Sequence, residues 1–134
     1  MILGFIGTGK IATSVITGIC TSKIPFVKIL VSPRNKVIAQ KIEKKFKNVA
    51  IAKHNQEIVD FSNWIFLSIT PTVGKKIIKN LKFKANQTII SFISTITLSE
   101  LKKAIKVKAT IVRAIPLPPI SLKKGPVPIC PPNK

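Results

Sequence analysis

Residues 2–18 read Ile-Leu-Gly-Phe-Ile-Gly-Thr-Gly-Lys-Ile-Ala-Thr-Ser-Val-Ile-Thr-Gly, an apolar run that ends in a glycine pair and switches at once to helical spacing. The run over 2–6 suits a strand buried on both faces, and Ile11, Ser14, Val15 and Gly18 then recur at the i, i+3, i+4, i+7 spacing of one helix face. Between them, Gly7-Thr8-Gly9-Lys10-Ile11-Ala12 has the G-x-G-x-x-A form. In that form the first glycine permits a tight turn, the second lets backbone approach a pyrophosphate, and the small third residue keeps helix and strand close. The anion rests on free N–H groups at the helix N-terminus. A strand–turn–helix with no ligand could carry the same glycines, but a position between strand and helix favours a dinucleotide site built on Ile6, Gly7, Thr8, Gly9, Lys10 and Ile11.

The segment 21–26 contains Pro25 and reads as a loop, and 27–31 as a second strand. The loop after that strand chooses the cofactor. An acid about 20 residues beyond the glycines would bind the ribose hydroxyls of NAD, whereas arginine and small polar groups meet the 2′-phosphate of NADP. This chain has Ser32-Pro33-Arg34-Asn35-Lys36 and no acid there. Ser32 and Arg34, helped by Lys36, therefore favour NADP by charge; a merely basic turn in a basic protein is the alternative.

Further on, the spacing predicts a helix over 36–46, a strand over 49–52, and a short helix to about Phe61 with Asn55 as its N-cap. The most strand-like run, 64–69, is stopped by Thr70-Pro71, so Ser68, Ile69, Thr70 and Pro71 should face the crevice beside Gly7. A helix over 72–81 and a strand over 88–93 come next, then a second crevice loop around Ile93, Ser94 and Thr95. Thr97-Leu98-Ser99-Glu100 is a capping box opening a helix through about Ile105, and 110–115 is a further strand. Strands alternating with short helices describe an α/β fold with a doubly wound, mainly parallel Rossmann-like sheet. The tail from Pro116 is rich in prolines, which are expected to forbid helix and leave turns and edge strands.

The formal charge is +19, which raises polyanions as partners. Only Arg34 and Arg113 are arginines, however, and the lysines are scattered with almost no aromatic interleaving. That argues against a specific nucleic-acid reader and leaves only salt-sensitive, nonspecific binding. Glu43, Glu57, Asp60 and Glu100 are the only acids and form no plausible pair, which disfavours carboxylate-pair hydrolysis and carboxylate metal sites. His54 stands alone and reads as a surface or loop residue. Cys20 and Cys130 lack metal or redox spacing and are expected to be buried, inert thiols. No basic leader precedes an apolar segment, and the longest apolar stretch, about 88–98, is too short to span a bilayer. A cytoplasmic location without membrane contact is the expectation.

Taken in order, these segments resemble the N-terminal NADP-binding domain of the pyrroline-5-carboxylate reductase family. The resemblance is carried by 4–12 (opening turn), 31–35 (2′-phosphate site), Asn55-Gln56-Glu57 (ribose-side asparagine motif) and 66–71 (fourth-strand motif), and by 112–116 with 125–129, which resemble the segments closing the family's first domain. The chain departs from the family's usual residues at Thr70, at Ile93-Ser94-Thr95 and at Leu117-Pro118-Pro119, which points to a divergent branch. The resemblance implies an NADP-binding domain over 1–115, closed by a tail over 116–134, without the family's helical domain for dimerisation and substrate binding. It further implies hydride transfer from NADPH to a small imine, chemistry of the proline-biosynthesis type, when a helical partner domain or a homo-oligomer completes the pocket. No catalytic residue is assigned; the crevice offers only hydroxyls such as those of Thr70, Ser94 and Thr95. A noncatalytic or degenerate NADP-binding module is the alternative, and a nonspecific basic nucleic-acid binder the third reading.

Overall fold

The fold follows from apolar runs long enough to be strands and too short to be helices. In a computed structural model, which describes residues 1–131, they form β1 (Ile2–Ile6), β2 (Lys28–Val31), β3 (Val49–Ile51), β4 (Trp64–Leu67), β5 (Thr88–Ser91), β6 (Thr110–Ala114) and β7 (Ile129–Cys130). Between them run α1 (Lys10–Cys20), α2 (Lys36–Lys45), α3 (Asn55–Phe61), α4 (Pro71–Asn80) and α5 (Leu98–Ile105). The last three residues of the proline-rich tail lie outside the described residues. The strands join in the order β3-β2-β1-β4-β5-β6-β7, with β1 to β6 parallel and β7 antiparallel to β6. This is the doubly wound order, reversing direction beside β1.

Alternation along each strand divides the core in two. Leu3, Phe5, Ile29, Val31 and Phe66 face α1 and α2, meeting Ala12, Val15, Ile16, Ala39 and Ile42. Ile6, Leu30, Ile65, Leu67 and Ile89 face α3, α4 and α5, meeting Ile58, Val59, Ile78, Leu101 and Ile105. A strand buried on both faces needs no polar alternation, which is why β1 and β4 read as continuous apolar runs. No helix among the described residues is long and apolar enough to cross a membrane.

Local chemistry corrects several expectations. The buried residues of α1 are Ala12, Val15, Ile16 and Gly18; of the expected face Val15 and Gly18 are buried, while Ile11, packed against the core, and Ser14 stay half-buried. Tight helix–strand packing brings the small Ala12 inward. His54, not Asn55, caps α3: its Nδ1 accepts the Glu57 N–H at 3.1 Å, while the Glu57 carboxylate accepts the Lys53 N–H. Cys20 is half-buried, with desolvation pushing its thiol pKa up, but Cys130 is exposed because the two-residue β7 forms the sheet edge. In the tail, Pro118 and Pro119 open a short 3-10 helix, Pro118–Leu122. Proline is admissible there because the first N–H groups of a helix need no internal partner. This turn lies on α1 where Gly18 has no side chain; a Cβ there would collide with the Ile120 carbonyl.

Candidate nucleotide-binding cleft

The loops after β1, β2 and β4 meet where strand order reverses, the place at which doubly wound sheets bind ligands. They enclose a cleft of about 530 Å³. Gly7, Thr8 and Gly9 line it from the first loop, Ser32 and Arg34 to Val37 from the second, and Asn55 from the start of α3. Ser68, Ile69 and Thr70 close the β4 side, with Val73 and Ile77 of α4. A hollow of similar size, about 540 Å³, lies between α4 and α5. Its floor of Ile78, Ile96 and Leu101 is already buried, and it sits away from the switch point.

The two motif glycines have different reasons. Gly7 has φ +102°, and a Cβ on it would run into the Ser68 carbonyl, so the fold itself requires glycine there. Gly9 has an ordinary backbone conformation, and a Cβ on it would meet nothing within 4 Å. Its vacancy opens onto the cleft, which is the room a pyrophosphate would need against the backbone.

The helix termini give a second indication. Asn35, His54 and Thr97 cap α2, α3 and α5 with side-chain acceptors. The two helices with no side-chain cap are α1 and α4, which open from Gly9 and Thr70 on the cleft. Uncapped first-turn N–H groups and the positive end of the helix dipole together suit an anion.

Electrostatics agree. No carboxylate lines the cleft, whereas Arg34 and Lys36 do. The four acids are engaged elsewhere: Glu43 accepts from Ile51 N–H, Glu57 from Lys53 N–H, Asp60 from the Gln56 amide, and Glu100 pairs with Lys75. Arg34 is exposed and has no acid partner among the described residues. Ser32 is buried, and its hydroxyl donates to Asn55 Oδ1 at 2.6 Å, which ties the β2 loop to the start of α3 and leaves the Asn55 amide N–H groups free to donate.

Of the residues singled out from sequence, Gly7, Thr8, Gly9, Ser32, Arg34, Asn55, Ser68, Ile69 and Thr70 are brought together in the cleft. The others do not line it. Ile6 is wholly buried in the core, Lys10 and Ile11 begin α1, and Pro71 occupies the first turn of α4. Ile93 is buried close to Gly74, while Ser94 and Thr95 are exposed and the Ser94 carbonyl accepts a hydrogen bond from Arg113 Nη2. Asn35, within the 31–35 stretch, lines it too, and Val37, Val73 and Ile77 line it without having been marked in sequence. Val37 gave no signal in sequence: it belongs to the apolar spacing of the 36–46 helix, and only its 63% exposure in the structure sets it apart.

Residues 2–95 match the model of the family described as NADP oxidoreductase coenzyme F420-dependent. Pyrroline-5-carboxylate reductase 3 of Danio rerio is 28% identical over 92% of this chain and 43% of its own length. The solved 1-pyrroline-5-carboxylate reductase of Streptococcus pyogenes is 26% identical at TM-score 0.71, over 87% of this chain and 42% of that one. The Plasmodium falciparum pyrroline carboxylate reductase, solved with NADP bound, shares the fold at TM-score 0.81 with 19% identity, over 96% of this chain and 47% of that one. The chain thus spans less than half the length of these relatives. With a Rossmann sheet, a cleft at its switch point and a family match across most of its length, the chain belongs to the NADP oxidoreductase coenzyme F420-dependent family as an NADP-binding domain similar to that of pyrroline-5-carboxylate reductases.

Proposed function

We propose that this chain holds NADP(H) in the β1/β4 cleft and serves as the cofactor domain of a pyrroline-5-carboxylate reductase-like oxidoreductase. The observation that carries the reading is the pairing of an open Gly9, free of any neighbour a Cβ would touch, with an acid-free cleft bearing Arg34. In this reading the Gly7–Gly9 turn and the α1 N-terminus bind the pyrophosphate. Arg34, as a planar fork, grips the 2′-phosphate with Lys36 as a supporting point charge. Asn55, oriented by Ser32, donates toward the ribose side, and Ser68, Ile69 and Thr70 form the wall nearer the reacting end.

When bound, NADPH supplies a hydride for a small imine; the residues of this chain hold and orient. In this reading the substrate side of the cleft is completed by a helical partner domain or a second subunit, with residues 1–115 holding the nucleotide and the tail closing the domain. A cytoplasmic setting, where NADPH is at hand, belongs to the same proposal.

Titration of the chain with NADPH and NADH at moderate salt, beside Arg34→Ala, tests it. NADPH is expected to bind more tightly than NADH, with the preference falling by about 1.5 to 3 kcal/mol in the variant. Equal affinity for both cofactors that survives loss of Arg34 would refute the phosphate assignment. Absence of binding to either would leave the glycine turn as architecture alone.

A further inference from the structure

The chain has two arginines, and only Arg34 lines the cleft. Arg113 stands near the carboxyl end of β6, opposite Ser91 of β5 in the parallel register. Alternation along β6 sends Ile111 into the core beneath α3, α4 and α5, so Arg113, two residues on, lies on that same face beyond it. There its Nη2 donates to the Ser94 carbonyl, while its Nε is buried with no hydrogen-bond partner among the described residues. Lys75–Glu100 is the one ion pair among those residues, so no carboxylate there compensates the guanidinium. A half-buried guanidinium with an unpaired donor costs stability that an apolar side chain of equal length would not, so the reason for arginine lies in what it grips.

It grips the turn that joins β5 to α5. Buried Ser91 accepts the Ile93 N–H on its hydroxyl at 3.2 Å, and Arg113 takes the Ser94 carbonyl, so one cross-strand pair fixes two successive residues of the turn. Ile93, thus fixed, packs at Gly74 of α4, where a Cβ would stand 3.0 Å from Ile93 Cδ1 and 3.5 Å from both Ile69 Cγ1 and Ile96 Cδ1. Ile69 is a wall residue of the nucleotide cleft and also abuts the Gly7 turn. A line of contact therefore runs from Arg113 to the cleft wall through Ser94, Ile93, Gly74 and Ile69. Close-packed side chains pass a displacement along such a line rather than absorb it.

Strand order says which part of a dinucleotide this turn would meet. Arg34 follows β2, the glycine turn follows β1, and β4 and β5 come next in the same direction across the sheet. A dinucleotide laid across the switch point, with its 2′-phosphate at Arg34 and its pyrophosphate at Gly9, runs on past residues 68–70 after β4 toward the turn after β5. Ser94 and Thr95 are exposed at that turn. We propose that Arg113 is a positioning residue for the nicotinamide end of the cofactor: through the Ser94 carbonyl it holds the 93–95 turn just beyond the cleft, where the turn forms the wall after Thr70. This rests on the NADP reading of the cleft, and Arg113 itself touches no part of the nucleotide.

Two ligands separate the ends of the cofactor. Adenosine 2′,5′-bisphosphate carries the adenosine and the 2′-phosphate without nicotinamide; NADPH carries both, and its nicotinamide emission reports the surroundings of that end. The 134-residue chain is titrated with each, beside Arg113→Met, which keeps the length but has no donor, and Arg113→Lys, which keeps one. Arg113→Met is expected to weaken NADPH about three- to tenfold and to alter the emission of the bound nicotinamide, with bisphosphate affinity unchanged. Arg113→Lys should recover part of the loss, as a point charge in place of a fork. Amide exchange in Arg113→Met should quicken over 93–96 and stay slow in β5 and β6. Unchanged NADPH affinity and emission in Arg113→Met would overturn the proposal, and so would equal weakening of both ligands, which would reduce Arg113 to a support of the fold. Equal affinity of the parent chain for both ligands, with free-like nicotinamide emission, would overturn it while leaving the 2′-phosphate assignment standing. A parent that binds neither would overturn the cofactor reading and this inference together.

Discussion

Gly7 and Gly9 belong to one motif, yet the structure gives them separable tasks. Replacing Gly7 by Ala places a Cβ against the Ser68 carbonyl at φ +102°, so Gly7→Ala should lose about 1 to 3 kcal/mol of stability or more in urea denaturation. Gly9→Ala meets no neighbour, and its stability should stay within about 0.5 kcal/mol of the parent. The proposed ligand would meet that new methyl, so NADPH affinity of Gly9→Ala should fall at least tenfold, as read by calorimetry. Retained affinity in a stable Gly9→Ala would remove the pyrophosphate from the turn. Ser32 makes a related point. Its sequence position suggested a phosphate contact, but its hydroxyl is spent on Asn55, so its influence in the proposed site passes through that neighbour.

At the scale of elements, caps separate structural helices from those that face the cleft. On α5 the box is complete: Thr97 Oγ1 accepts the Glu100 N–H at 3.2 Å, and the Glu100 carboxylate accepts the Thr97 N–H at 2.8 Å. Thr97→Ala should cost about 1 kcal/mol. The Thr97 N–H first, then Lys75 and the Thr97 hydroxyl, hold the Glu100 carboxyl below its ordinary value of 4.5. A lowered folded-state pKa means the contribution is fully present above the unfolded value and is lost as pH falls through the folded one. Glu100→Ala should therefore destabilise the protein at neutral pH and do so less in strong acid, when denaturation at both pH values is compared. Equal destabilisation at both would show that the charged carboxylate is not what the cap uses. Gln87 performs a comparable task from outside a helix: buried, it donates to the carbonyls of Val59 and Ser62 and accepts the Lys84 N–H, tying the end of α3 to the start of β5.

For the molecule as a whole, the dominant quantity is net charge. With 23 bases, four acids and one ion pair among the described residues, the surface is a diffuse polycation. It should retard DNA of any sequence at low salt and release it by about 0.2 M, with affinity falling by about 10³ to 10⁵ between 0.05 and 0.2 M if six to ten phosphates are neutralised. A mobility shift that persists at about 0.2 M salt and prefers one sequence would instead point to a specific reader.

The order of elements was legible because each rests on local rules: β1 and β4 as continuous apolar runs, the 97–105 helix from its capping box, the turn at Gly7 from a conformation only glycine takes easily. The acid-free loop around Arg34 was equally local, and so was the expectation of a crevice beside Ser68, since strand ends in this fold converge. What sequence could not decide depends on neighbours far along the chain. His54 rather than Asn55 caps α3 because Asn55 is drawn 23 residues back to Ser32. Val73 and Ile77 line the cleft only because α4 packs where it does, and Ser94 is held outside by Arg113 from the neighbouring strand. The tail turn is the clearest case. Pro118, Pro119 and Ile120 read in sequence as irregular tail, and only the missing side chain of Gly18, far back along the chain on α1, leaves room for the 3-10 turn to lie there.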